Sequence, residues 1–223
     1  MELNDRFHKT HSFDVSPLSF TPTSPMQLSD RARELIPKAR IVSFADWDQR
    51  LPDTMVRRFQ AADDQFRYLT DEDFAALVEL VEARTSLLAS KIQLSQQLRD
   101  KASEIVTEAR GQVLEQFPGI TEAGGDLYPQ ARADACWRDF WQFLRCVSYG
   151  LAGNSTAYLS QAGLGYMALL YEELKVPLPA MVVGIKALAI ASSKRCQADS
   201  PEDDIADIMT NHFAPLISAL EAF

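Results

Sequence analysis

Residues 133–153 read ADACWRDFWQFLRCVSYGLAG. The run has no proline, and its apolar residues recur at helical spacing, which predicts a helix over 130–152. On that helix Arg132, Cys136, Asp139, Phe140 and Phe143 recur at spacings of three and four, so they share one face. Arg138 lies off that face but is long enough to reach back. A thiol, a carboxylate and two guanidiniums, flanked by Phe140, Trp141, Phe143 and Tyr149, suit a flat conjugated ligand with N–H donors and acid groups. The carboxylate would accept from the N–H groups, the arginines would hold the acids in paired hydrogen bonds, and the thiol would tether the ligand. The same residues also suit a plainer reading. Cys136 then packs as a small core residue and Arg138–Asp139 is a surface ion pair. Spacing leaves both open.

The pattern extends in both directions. DTMVRRFQAADD (53–64) is a short amphipathic helix, and residues 70–117 form a long helical stretch. Thr70 is placed as its N-cap with Asp73 at the capping-box position, and Phe74, Leu77, Leu80 and Val81 keep helical spacing. PGITEAGGDLYPQ (118–130) is a loop marked by Pro118, Gly119, Gly124 and Gly125. Further helices are predicted at 155–174, 178–193 and 201–221. No run alternates like a strand, so the chain is read as all-α. Residues 1–52 differ from the rest. SFDVSPLSFTPTSP (12–25) favours irregular chain, and LSDRARELIPKAR (28–40) allows one short helix capped by Ser29 and interrupted at Pro37. The expected organisation is an extension over 1–52, docked or mobile, and a domain over 53–223.

Composition narrows the function classes. With 223 residues, 47% of them hydrophobic, the chain can bury a full core. A formal charge of −9 argues against nucleic acid and against an anionic membrane surface. The most apolar run, MALLYEELKVPLPAMVVGIKALAIA (167–191), is interrupted by two acids, two lysines and two prolines and does not read as a membrane span. The N-terminus lacks a basic-then-apolar signal layout, so a cytoplasmic protein is expected. Three cysteines make neither a disulfide framework nor a zinc cluster, and no metal site is expected.

YPQARADACWRDFWQFLRCVSYGLAG (128–153) resembles the chromophore helix of the phycobiliproteins, the bilin-carrying light-harvesting proteins, in its Tyr, basic residue, Cys-x-Arg-Asp, Arg and terminal Ala-Gly. DTMVRRFQAADDQFRYL (53–69) is similar to that family's N-terminal helix, KASEIV (101–106) and GGDLY (124–128) to two of its further motifs, and LLYEELKVPLPAMVVGIKAL (169–188) to its Tyr-x-x-Leu-Gly-Val-Pro helix junction. The resemblance covers 53–223 and is nearest to the allophycocyanin-like branch. It implies a globin-like all-α fold with two extra N-terminal helices.

It also implies roles. Cys136 would form a thioether to phycocyanobilin or a related bilin, Asp139 would accept from the central pyrrole nitrogens, and Arg138 with Arg132 would bind the propionates. Tyr128, Tyr149 and Tyr171 match pocket or nearby packing positions. Asp63 and Arg145 match residues that pair between subunits, so αβ-type dimers, trimeric rings and linker proteins are the implied partners. The implied place is the cytoplasm, peripheral on the thylakoid membrane. The chain departs from the pattern at Ala131, which replaces one of a basic pair, and at Asp126, where one branch carries a methylated Asn. It departs again in the shorter YGLAG, in Trp137 and Trp141, and in the first 52 residues.

Haem is the alternative that a globin-like fold raises. His8 and His11 fall in the extension and His212 near the C-terminus, which leaves no mid-chain proximal ligand. His212 reads as a helix-face residue, Cys146 as core, and Cys196 as an exposed thiol in a polar loop. There is no nucleophile–histidine pair in helical register and no phosphate loop, so no enzyme is expected. Two functions remain. One is a light-harvesting subunit carrying one bilin. The other is an accessory or regulatory bilin-binding protein, acting as a pigment carrier or in bilin synthesis or phycobilisome turnover.

Overall fold

The computed structural model describes residues 28–81, 86–196 and 205–223. The irregular run 12–25, His8, His11 and the polar stretch after Cys196 lie outside the described residues. The helices run α1 Asp30–Leu35, α2 Asp53–Asp64, α3 Asp71–Val81, α4 Ser86–Asp100, α5 Ala102–Gln116, α6 Gln130–Ala152, α7 Gln161–Leu174, α8 Leu178–Arg195 and α9 Ile205–Glu221. A single turn of 3-10 helix, Trp47–Gln49, follows α1. The all-α expectation holds.

Local chemistry sets several boundaries. Thr70 and Asp73 close a reciprocal capping box. The Thr70 N–H donates to Asp73 Oδ2 at 3.0 Å, and the Asp73 N–H donates to Thr70 Oγ1 at 3.2 Å. The same Asp73 accepts from Arg58 and Arg67, which fixes the corner between α2 and α3. Ser29 caps α1 through the Ala32 N–H, and α1 ends before Pro37. The predicted helix 155–174 begins later, at Gln161. Residues 158–160 instead pair with the segment after α1, with Ser43 N–H on the Tyr158 carbonyl at 2.9 Å and Ser160 N–H on the Ile41 carbonyl at 2.7 Å. Backbone groups satisfied across the chain this way have no need of a helix.

α6 is the axis of the core, buried without interruption from Phe143 to Ala152. α4, α5, α8 and α9 pack around it. Residues 28–52 belong to the same packing. α1 lays Ala32 and Leu35 on Leu170 and Leu174 of α7. Trp47 is 1% exposed and lies edge-on to Phe59, ring centroids 5.0 Å apart. A Cβ at Gly153 would come within 2.2 Å of the Trp47 ring, so the end of α6 leaves room for that indole.

The Asp63–Arg145 pair expected between subunits is made inside one chain. α2 lies against α6, which sets Arg145 Nη1 2.7 Å from Asp63 Oδ1 with both side chains 5% exposed. Arg40, from the segment after α1, takes the other oxygen of Asp63. The carboxylate's two oxygens are both engaged within the fold.

Candidate functional site

The first turns of α6, the C-terminal turn of α7 and Phe223 meet around Asp139 and Tyr171, one turn along α6 from Cys136. Cys136 and Asp139 sit one turn apart on α6, as the spacing predicts. Tyr171 of α7 donates its phenol to Asp139 Oδ2 at 2.7 Å, and Phe223 stands edge-on to the Tyr171 ring at 6.1 Å. Arg132 donates Nε to the Asp126 carbonyl at 2.6 Å and a second N–H to the Lys175 carbonyl. It thereby ties the loop before α6 to the left-handed end of α7. Arg138 is exposed beside Asp139.

Burial dominates the electrostatics here. It pushes the Cys136 thiol up to about 12, with the Asp139 charge adding and Arg132 opposing. It also lifts Asp139 to about 6, against the pull of the Tyr171 hydrogen bond and the Arg138 charge. A carboxylate so placed gains from any N–H or cation brought to it, because its present surroundings stabilise the charge less well than water does. Cys136 rests as a thiol, so it becomes a nucleophile only when its proton is removed.

The sequence-expected residues divide into three groups. Cys136, Asp139, Tyr171 and Arg132 are brought together, with Arg138 at the edge. Tyr128 precedes α6 and is 52% exposed. Tyr149 is elsewhere, thirteen residues further along the helix, or about 20 Å at the helical rise. Its phenol donates to the Arg67 carbonyl and accepts from Arg145 at 2.9 Å, and its ring meets Phe44 and Phe59. Cys146 is core, as expected, with its thiol raised to about 11 by burial. Cys196 is not the exposed thiol expected of a polar loop. It caps α8 and is 3% exposed.

Two contributors escape a reading by spacing. Phe223 reaches the site through tertiary packing, for which a sequence carries no local signal. Trp137 is buried with its indole N–H lacking an acceptor among the described residues. Its ring tilts against Phe140 at 5.6 Å, with Arg110 5.4 Å from the centroid. Among the described residues no cluster of His, Cys, Asp or Glu could hold a metal ion.

Comparison with known proteins decides the family. The model of the phycobilisome protein family matches residues 57–220, nearly three-quarters of the chain. The chain belongs to that family. Among its relatives are an allophycocyanin subunit alpha-B from Synechocystis, 30% identical over 59% of this chain and 79% of the relative, and an allophycocyanin alpha chain from Galdieria sulphuraria, 30% identical over 63% and 86%. An allophycocyanin subunit beta-18 from Porphyra purpurea is 32% identical over 69% and 88%. The all-α fold is that of a phycobiliprotein. No helix among the described residues is long and apolar enough to cross a membrane.

Proposed function

We propose that this phycobilisome-family protein carries one open-chain tetrapyrrole, phycocyanobilin or a close relative, on Cys136, for excitation-energy transfer in a phycobilisome at the cytoplasmic face of the thylakoid. The observation that carries the reading is the Cys136–Asp139–Tyr171 cluster: a thiol and a carboxylate one turn apart, the carboxylate raised by burial and held by a phenol.

The residues fit such a pigment on three counts. Asp139 accepts hydrogen bonds, and N–H groups brought to it would offset the cost of burying its charge. The Trp137 indole N–H has no acceptor among the described residues, and a ligand carbonyl or carboxylate would supply one. Arg138 has an exposed guanidinium beside Asp139, placed for an acid group. Arg132 enters as a positioning residue, because its N–H groups already serve two backbone carbonyls. Tyr128 flanks the entrance, and Tyr149 supports the core behind α6.

When bound, a bilin supplies the visible absorption and the excited state; the protein's part is to hold it extended. Asp139 does this by gathering pyrrole N–H groups on one carboxylate, each charge-assisted bond contributing about 1.5–3 kcal/mol. Tyr171 keeps Asp139 turned toward α7, and Phe223 backs Tyr171. The pigment-carrying role needs no catalytic residue. Partners of the phycobiliprotein kind, and linker proteins, follow from the family, with a contact other than Asp63–Arg145.

The test is co-expression with a bilin pathway and zinc fluorescence of the denatured band. Wild type, Cys146→Ala and Cys196→Ala should all carry covalent pigment, and Cys136→Ala none. Pigment surviving on Cys136→Ala overturns the assignment, as does a wild-type band without fluorescence.

A further inference from the structure

α7 is apolar on the side that faces away from the core. Its sequence, QAGLGYMALLYEEL, carries no charge before Glu172. Gly163, Leu164, Met167, Leu170 and Tyr171 are buried and face inward. Ala162, Gly165, Tyr166 and Leu169 recur at spacings of three and four on the other side and are exposed, Tyr166 by 39% and Leu169 by 40%. A helix that is apolar all round belongs in an interior. For two turns this one shows an apolar face to solvent.

Gly165 is the informative residue. A Cβ at Gly163 would come 1.8 Å from the Arg40 carbonyl oxygen, at Gly184 1.9 Å from the Phe140 ring and at Gly150 2.6 Å from the Tyr158 ring. Each of those helical glycines makes room for a neighbour in the same chain. A Cβ at Gly165 would meet no described residue within 4 Å. Glycine weakens a helix interior relative to alanine, and at Gly165 the packing of the chain does not call for it. Gly111 of α5 is open as well, but Thr107, Glu108 and Glu115 share its face. Beside Gly165 the face is Ala162, Tyr166 and Leu169. The Lys38 ammonium, tied to Glu34 at 2.7 Å, stands 5.6 Å from the Tyr166 ring centroid and borders the face on the side of α1.

We propose that this face of α7 pairs with the same face of a second copy of the chain, the two helices running antiparallel about a two-fold axis between Gly165 and Tyr166. The axis sets Tyr166 of one copy over Gly165 of the other and Leu169 over Ala162, and repeats both contacts in reverse. Each large side chain then meets a small one, and the open space above Gly165 receives a ring. Charge favours the same sense. Antiparallel pairing carries Glu172 of each copy to the N-terminal end of the other α7, where the helix dipole stabilises an anion. A parallel pair would set Tyr166 against Tyr166 and bring the two Glu172 carboxylates together. Tyr171, whose phenol serves Asp139, stays on the buried side. The contact therefore forms with or without a pigment.

The experiment is sedimentation equilibrium of the full, pigment-free chain. Wild type should dimerise reversibly. Gly165→Leu has room within the single chain but fills the space that the other copy's Tyr166 needs, and should weaken dimerisation about tenfold or more. At a dilution where wild type is monomeric, this variant should unfold at no lower a temperature, which separates a lost contact from a damaged fold. Leu169→Lys sets an ammonium against Ala162 and should weaken the dimer by a similar factor. The register has its own readout: Ala162→Cys and Leu169→Cys chains, mixed under mild oxidation, should form a disulfide-linked dimer faster than either does alone. A wild-type chain that stays monomeric at about 100 μM overturns the proposal, whether its own residues 1–27 cover α7 or leave it bare. So does a dimer that Gly165→Leu and Leu169→Lys both leave intact, which would use another face. Cross-linking no faster in the mixture than alone overturns the antiparallel pairing.

Discussion

Replacing Asp139 by Asn should stabilise the pigment-free chain at alkaline pH and do little near pH 4. The ordinary carboxyl value is 3.8 and burial raises Asp139 to about 6. The folded chain therefore holds this proton more tightly than the unfolded chain does. Stability drawn from it is complete below the unfolded value and is lost as pH rises through about 6. A separation of about 2 pH units corresponds to about 3 kcal/mol at most. Asp139 is partly exposed, and water screens it, which brings the expected penalty to about 1–2 kcal/mol. Asn keeps the shape and an oxygen for the Tyr171 phenol, without the charge. Urea unfolding of both proteins at about pH 4, 6 and 8 reads the difference directly, since the other titrating groups are common to both. Asp139→Asn should be the more stable by about 1–2 kcal/mol at about pH 8 and converge on wild type near pH 4. With pigment attached the order of merit changes. Asp139→Asn should keep the covalent bond but lose much of the red band and the fluorescence, with Asp139→Glu milder. A stability gap that ignores pH, or a variant weaker than wild type at pH 8, refutes the account of Asp139 as a buried charge awaiting a partner.

Three further substitutions probe the frame that holds this helix. Asp63→Ala leaves the Arg145 guanidinium buried beside no carboxylate and should cost about 3–5 kcal/mol in chemical denaturation, whereas Arg40→Ala, at a side chain 32% exposed, should cost about 1 kcal/mol or less. Gly153→Ala drives a methyl into the Trp47 ring and should cost about 1–3 kcal/mol, with a red shift of tryptophan emission as the indole is displaced; unchanged emission and stability would show that Trp47 does not seat there.

Much of this was legible in the residues. The 3.6-residue period of 133–153, the Thr70–Asp73 cap and the Ser29–Pro37 bracket are local signals, and each appears in the structure where the local physics puts it. The Cys136–Asp139 face follows from the same period. What was not legible is tertiary. Tyr149 shares the helix and the aromatic character of the site, but helical rise carries it to the other end, where Phe44 and Phe59 enclose it. Cys196 sits among polar neighbours in sequence and is buried because the end of α8 turns it inward. Residues 155–160 pattern like the start of α7, yet the backbone groups of Tyr158 and Ser160 are claimed by Ser43 and Ile41, far away in the chain. His212 reads as a helix-face residue, and its burial emerges only once α9 is packed.

The engagement of Asp63 bears on assembly. Oδ1 is taken by Arg145 and the second oxygen by Arg40, which lies before the matched span of 57–220. A guanidinium from another subunit would meet a carboxylate already shared by two, and would have to displace Arg40 to reach it. Displacing Arg40 also disturbs the short pairing that carries Ile41 and Ser43 along residues 158–160. The contribution of the Asp63–Arg145 pair should therefore appear in the unfolding of a single chain. Reversing both charges, Asp63→Arg with Arg145→Asp, brings two guanidiniums together at position 63 because Arg40 stays in place. The reversal should thus recover only part of the loss caused by either single change, at any protein concentration. A mass-action pair behaves otherwise, since its midpoint climbs as the protein is concentrated. Thermal midpoints of these three variants that rise with concentration would place the pair across two chains; midpoints independent of concentration place it within one.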